Sequence, residues 1–279
     1  MKKRIRILML IAVFALFLIW VFWANTAVEI TEYTLSGDEI PASFDDFRIL
    51  QISDLHNATF GENNGKLLQL MAEAAPDIIV ITGDLVDSRN TDIDIGIRFA
   101  EAAARIAPTY YVSGNHEARI REYGALKAGL EAAGVVLLEN EQLSLECAGE
   151  KITLLGVDDP SFRAAYLQGG EAAIVASELD KLKQDGYTVL LSHRPELFQI
   201  YTEYGMDLVF TGHAHGGQFR LPFVGGLVAP GQGFFPEYDA GLFTQQDTTM
   251  VVSRGLGNSI IPLRFNNRPE IVIVTLKST

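Results

Sequence analysis

The chain has 279 residues, 48% of them hydrophobic and 20% charged, with 10 prolines and a single cysteine, Cys147. This composition excludes a disordered, collagen-like or coiled-coil chain, and one cysteine excludes a disulfide framework or a thiolate zinc site. The net charge of −13 understates the acidity of the body, because Lys2, Lys3, Arg4 and Arg6 precede every acidic residue and the remaining 18 basic and 35 acidic groups leave −17. Nucleic acid is not an expected partner, since duplex affinity depends on neutralising phosphates with Lys and Arg.

From Ile7 to Ala24 the chain runs eighteen residues without a charge, behind the basic cluster. That length is enough to cross the hydrocarbon core of a bilayer. A secretory signal is the rival reading, but its apolar region is usually about 7–15 residues and ends at a small-x-small cleavage site. Here Trp20 and Trp23 occupy the far end, where an interfacial aromatic belt belongs. Residues 1–27 therefore read as a membrane anchor or an uncleaved signal. The basic side stays cytoplasmic, which puts the rest of the chain outside the cytoplasm. Residues 28–45 are polar and mixed, with a short strand and a turn at Pro41, and read as a stalk.

Residues 46–279 read as one domain, with no internal repeat and no linker. Apolar, β-branched runs end in Asp, Asn or His: FRILQISDLH, DIIVITGDLVD, TYYVSGNHE, TVLLSHRPE and MDLVFTGHAHGG. Helical periods alternate with them, from Lys66 to Ala75 and from Asp92 to Ile106. The layout is α/β, with strands buried on both faces. A β-rich middle (VVLLEN, QLSLEC, KITLLGV) and a late pair (TTMVVSRGLG, PEIVIVTL) suggest a second sheet packed on the first. Cys147 reads as a small apolar side chain in a strand.

Functional groups of open α/β sheets gather beyond the carboxyl ends of the strands, and the chemistry-bearing residues fall there. Asp54 and His56 follow the first run, Asp84 and Asp87 the second, Asn115 and His116 the third, His193 the next, and His213 and His215 the last. Each alone is explained by turn chemistry. All five histidines of the chain are in that set, four of them beside an Asp, an Asn or another His, and turn preference does not account for that. An N/O donor set without thiolate suits Mn, Fe or Zn, and two such cations form a clamp for in-line displacement at phosphorus.

The ordered motifs Asp-x-His (Asp54, His56), Gly-Asp-x-x-Asp (Gly83, Asp84, Asp87), Gly-Asn-His-Glu (Gly114 to Glu117), His193 and Gly-His-x-His (Gly212 to His215) resemble the calcineurin-like metallophosphoesterases. The stretches GHAHGGQFRLPFVGGLVAPGQGFFPEY and VSRGLGNSIIPLRFNNRPEI resemble the membrane-associated bacterial branch of that family. The resemblance implies a four-layer αββα sandwich of two mixed sheets flanked by helices, behind an N-terminal transmembrane helix. It implies two divalent metal ions: Asp54, His56 and His215 on one, Asn115, His193 and His213 on the other, and Asp84 bridging both. A hydroxide between the metals would attack phosphorus. His116 would stabilise the phosphorane oxygens or protonate the leaving alkoxide, with Asp87 as its orienting partner, while Gly83 and Glu117 would be structural.

The expected protein is thus a membrane-anchored phosphodiesterase or pyrophosphatase acting on a lipid-linked or cell-envelope substrate, with a phosphomonoesterase and a non-catalytic wall-binding module as rivals. The Gly216-Gly217, Gly225-Gly226 and 231–233 glycines read as hairpin turns, and Asp158-Asp159-Pro160 as a turn. Phe234, Phe235 and Tyr238 read as packing residues or as an apolar lip near the membrane. Arg194, Arg220 and Arg254 are candidates for a phosphate oxygen against the simpler alternative of ordinary salt bridges.

Overall fold

Helix α1 (Lys2–Thr26) carries its apolar side chains on every face, and Lys3–Thr26 is long and apolar enough to cross a membrane. The computed structural model describes residues 2–163, 170–182, 186–258 and 261–279. Among the described residues, the last two turns of α1 touch the rest of the chain. Ala24 is buried, Trp20 meets the ring of Phe265 edge-on at 5.1 Å, and Arg268 lies over Trp23 at 4.7 Å. The Asn25 side chain accepts from the Arg264 amide at 2.7 Å and donates to the Arg264 carbonyl at 3.1 Å.

Two six-stranded mixed sheets form the body. The first has the order β1 (Glu29–Gly37), β16 (Glu270–Ser278), β2 (Arg48–Ile52), β3 (Ile78–Thr82), β4 (Thr109–Val112), β5 (Val136–Leu137). The second has the order β14 (Gly241–Gln245), β15 (Thr248–Val252), β9 (Leu208–Thr211), β8 (Thr188–Leu191), β7 (Glu150–Gly156), β6 (Glu141–Cys147). Strands β2 to β5 run parallel, as do β7, β8, β9 and β15. Their cores are β-branched and buried on both faces, as in Ile78–Thr82, which fits a parallel sheet covered on both sides.

The layers follow from which face each side chain meets. Leu67 and Met71 of α2 (Gly65–Glu73), Phe99 of α3 (Ile93–Ala104) and Leu126 of α4 (Tyr123–Ala132) pack on Leu50, Ile79 and Ile81 of the first sheet. Val80 and Val112 of that sheet face Leu154, Val189 and Phe210 of the second across the middle of the molecule. Val175 of α5 (Gly170–Leu179) and Tyr201 of α6 (Phe198–Glu203) cover the far face against Leu190 and Val209. This is the αββα sandwich. Asp92 caps α3 by accepting from the Asp94 amide, so the helix starts where the sequence placed it. Cys147 ends β6 half-buried, with a free thiol.

Two expectations are corrected. Residues 28–45 are not a stalk: β1 pairs in parallel with β16 over nine residues, Glu29↔Glu270 to Gly37↔Ser278, and Phe44 is buried behind it. Strand β16 also leaves the second sheet expected for it and lies antiparallel to β2 in the first. The glycine pairs do form hairpins, β10 (Arg220–Leu221) with β11 (Gly225–Gly226) and β12 (Val228–Ala229) with β13 (Gly233–Phe234).

Candidate metal centre

The strands that carry the motifs end along one edge of the sandwich, and the following loops converge there. Asp54 and His56 leave β2, Asp84 and Asp87 leave β3, Asn115 and His116 leave β4, His193 leaves β8, and His213 and His215 leave β9. All nine side chains lie in buried residues. The loops are bent hard: Asp54, His56, Asp84, His213 and His215 all have a left-handed backbone, with φ between 45° and 65°. Asp and His tolerate that region better than most residues, yet each instance still costs about 1–3 kcal/mol and marks where the surrounding structure dictates the conformation. Gly83 lets the β3 and β4 loops touch. A Cβ there would stand 2.6 Å from the Gly114 nitrogen and 2.8 Å from His193 Nδ1.

Three donor clusters result among the described residues, and two of them share Asp84. In the first, Asp54, His56, Asp84 and His215 bring ligand atoms together: His56 Nε2 lies 3.1 Å from His215 Nε2 and 3.5 Å from Asp84 Oδ2, and His215 Nε2 lies 3.3 Å from Asp54 Oδ1. In the second, His193 Nε2 lies 3.3 Å from Asp84 Oδ2 and 3.1 Å from His213 Nδ1. The Asn115 side-chain oxygen is buried beside them without a hydrogen-bond partner.

The chemistry of these donors fits divalent cations. His193 Nδ1 stands 2.7 Å from the Thr82 carbonyl, which only accepts, so Nδ1 carries the proton and Nε2 presents a lone pair to the Asp84 carboxylate and to a second imidazole. Lone pairs packed this closely call for positive charge between them. Without a metal a proton takes that place. Burial pushes His193 down, but Asp84 outweighs it and raises the ring to about 10. Burial pushes Asp84 up in turn, yet His193, His56 and His116 hold it well below the usual carboxylate range.

His116 belongs to neither of these two but to a third group with His56 and Asp87; its ring meets that of His56 edge-on at 4.5 Å, and its Nε2 lies 4.0 Å from Asp84 Oδ2. Burial lowers its pKa to about 4 against the pull of Asp84. Asp87, the orienting partner expected for it, has Oδ1 3.8 Å from Nδ1, longer than a hydrogen bond, and is itself forked by Arg89 with contacts of 3.1 and 2.7 Å. Nδ1 accepts from the Ser88 amide at 2.9 Å, with the Ser88 hydroxyl at 3.1 Å. A backbone donor has no signature in sequence, so Ser88 was invisible there.

Glu117 is a staple. Its carboxylate accepts from the amides of Asp84 (2.9 Å), Val86 (3.2 Å) and Gly114 (2.7 Å), which fastens the β3 loop to the β4 loop. Glu117→Ala leaves three buried N–H groups without an acceptor. The expected loss is about 3–5 kcal/mol, read as a fall of about 10 °C in melting temperature, with Glu117→Gln in between. A variant melting within a degree of the parent would remove the staple from the account.

A cleft of about 430 Å³ opens over the clusters, lined by Asp84, Asn115, His116, His213 and His215 together with Arg89, Arg119 and Arg194. A larger cavity of about 680 Å³ lies at the opposite ends of β8 and β9 and contains none of these residues. Asp159, read as a turn residue, is buried and forks Arg194 through contacts of 2.5 and 3.0 Å, which places that guanidinium 3.2 Å from His213 Nε2. Arg220 pairs with Asp239, and Arg254 with Glu29 and Glu270, so these two are ordinary salt bridges. Arg89 and Arg119 carried no motif, and only the fold brings them to the cleft.

Two His/Asp clusters joined by one carboxylate, with a further histidine beside them at the carboxyl edge of paired sheets, define a metal-dependent phosphoester hydrolase. The sequence profile described as "Calcineurin-like phosphoesterase" matches residues 47–217. The chain belongs to that family, which uses a binuclear divalent metal centre. It is 32% identical over 257 residues to "Uncharacterized metallophosphoesterase YkuE" of Bacillus subtilis, covering 90% of this chain and 86% of that one. It is 28% identical to "Phosphodiesterase YaeI" of Escherichia coli, covering 82% of each. It is also 28% identical to "Transmembrane protein with metallophosphoesterase domain" of Danio rerio, covering 89% of this chain and 57% of that one. The solved structure of TT1561 from Thermus thermophilus shares the fold, with a TM-score of 0.52 at 16% identity over 75% of this chain and 90% of that one.

Proposed function

We propose that the chain is a single-pass membrane phosphodiesterase whose catalytic body lies outside the cytoplasm and cleaves a P–O bond of a lipid-linked or cell-envelope phosphodiester or pyrophosphate. The observation that carries this reading is Asp84, one carboxylate common to two N/O clusters with His116 beside it. Residues 1–27 are the anchor, with Lys2, Lys3, Arg4 and Arg6 on the cytoplasmic side. The Escherichia coli relative is named a phosphodiesterase and the Danio rerio relative a transmembrane protein, which supports the two halves of the proposal. An open cleft leaves room for a bulky substrate.

In this reading Asp54, His56 and His215 hold one cation, Asn115, His193 and His213 hold the other, and Asp84 is common to both. Mn, Fe or Zn suits this donor set. When bound, such ions would polarise the phosphoryl group and make a water nucleophile available near neutral pH. The rest falls to the protein. With the Ser88 amide occupying Nδ1, the neutral His116 ring carries its proton on Nε2, where it donates to a phosphoryl oxygen or to the leaving oxygen. Asp87 is a positioning residue: Oδ1 accepts from the Arg89 amide at 2.8 Å and closes the turn that aims the Ser88 N–H at the ring. Arg194, held by Asp159, adds positive charge where a phosphate would sit.

The test uses the full chain in detergent, stripped of metal and given Mn, Zn, Fe or Mg separately. Hydrolysis of bis-p-nitrophenyl phosphate returning with Mn, Zn or Fe, and exceeding that of p-nitrophenyl phosphate, is the expected result. A strong preference for the monoester would make the protein a phosphomonoesterase. Two bound metals without turnover would make it a binding module.

A further inference from the structure

From Leu221 to Pro236 sixteen residues pass without a charge, and seven of them are Leu, Val or Phe. The two hairpins they form turn phenylalanines outward: Phe223 is fully exposed, Phe234 is 80% exposed and Phe235 68%. Tyr238, grouped with them on sequence, behaves differently and packs on Phe198 and Phe243. An apolar patch of this kind on a body carrying −17 is a contact surface and not a solvated one.

Its position says what it contacts. Phe219, at the base of the first hairpin, bridges to Phe265, and the Arg220 amide donates to the Phe265 carbonyl at 3.0 Å. Phe265 is the ring against which Trp20 of α1 packs. The hairpins therefore spring from the place where the helix leaves the body. Trp20, Trp23, Arg254 and Arg268 line a hollow there, the mixture of indole and cation that suits the headgroup layer. At the turn of the second hairpin, Pro230 and Gly231 form a wall of the metal cleft. One uncharged segment thus joins the exit of the helix, the outward phenylalanines and the mouth of the site.

We infer that the 221–236 segment is a second membrane contact, its phenylalanines entering the lipid–water interface of the bilayer that α1 crosses, so that the cleft opens at the level of phospholipid headgroups. The inference rests on the single-pass reading above. Apolar insertion suits this body better than charge attraction, because a net −17 is repelled by anionic lipid.

The experiment uses the full chain with Cys147→Ala and one new cysteine at a time, Phe14→Cys, Phe223→Cys, Phe234→Cys or Lys151→Cys. Each is labelled with an environment-sensitive fluorophore and placed in phospholipid nanodiscs holding spin-labelled lipid. Lys151, the exposed second residue of β7, lies at the end of the sheet opposite the metal site and is the aqueous control. The expected result is loss of most emission at positions 14, 223 and 234 and none at 151, with bis-p-nitrophenyl phosphate hydrolysis unchanged in all four. Quenching at 14 but not at 223 and 234 overturns the second contact alone. No quenching at 14 overturns the spanning helix on which it rests. Self-quenching between labels at 223 on separate chains, without lipid quenching, assigns the patch to a second copy and overturns the proposal.

Discussion

Asp84→Asn is expected to lower bis-p-nitrophenyl phosphate turnover by about 10³-fold or more and to strip the protein of both metals. The substitution keeps the shape and one oxygen. Oδ1 is the atom that accepts from the His116 amide at 2.8 Å, so the loop geometry survives. The change falls on Oδ2, which faces His193 at 3.3 Å and His56 at 3.5 Å and becomes an N–H₂ donor. A buried amide offers a bound cation no charge and only half the lone pairs, and each 1.4 kcal/mol lost, about one tenfold step, accumulates over two ions. Metal content and turnover measured on the same preparation, with a thermal melt to show that it folds, decide the matter. Two equivalents of metal with full activity would end the shared-ligand role.

His116→Ala is expected to behave in the opposite way toward metal: both ions stay while kcat falls by about 10²–10⁴-fold. The ring is a member of neither cluster that shares Asp84: its Nε2 stands 4.0 Å from Asp84 Oδ2, and it meets the His56 ring edge-on at 4.5 Å between centroids. Its placement comes from Ser88, and Asp87 acts only through the 87–89 turn. Asp87→Asn should therefore cost about tenfold, far less than loss of the ring itself. A metal-replete His116→Ala enzyme with parental kcat would leave the chemistry to the cations alone.

The part of this site that was legible in the sequence is the part carried by residue type. Histidines and acids after β-branched runs stay informative because strand ends are local features, and the loops that hold them close on themselves. What escaped is pairing between distant segments. Nothing in PEIVIVTL says whether it joins TTMVV or slots between β1 and β2, because pairing is decided by neighbours more than 200 residues away. Strand β1 looked like a stalk because only one face, with Tyr33 and Leu35, is half-buried, while Ile30, Glu32, Thr34 and Ser36 are exposed on the other, as befits an edge strand. The Asp159–Arg194 fork spans 35 residues and the Ser88 contact uses a peptide group, so neither leaves a trace in composition or spacing.

The short connection between α1 and β1 has a mechanical consequence. The helix ends at Thr26 and the strand starts at Glu29, so only Ala27 and Val28 lie between them. Arg268 grips both of their carbonyls, at 2.9 and 3.0 Å. A pull on the helix along the strand direction is delivered as shear across nine parallel pairs, which must slip together and cannot peel one after another. The body accordingly rides with its helix as a rigid handle, and drag felt by one is felt by the other without slack.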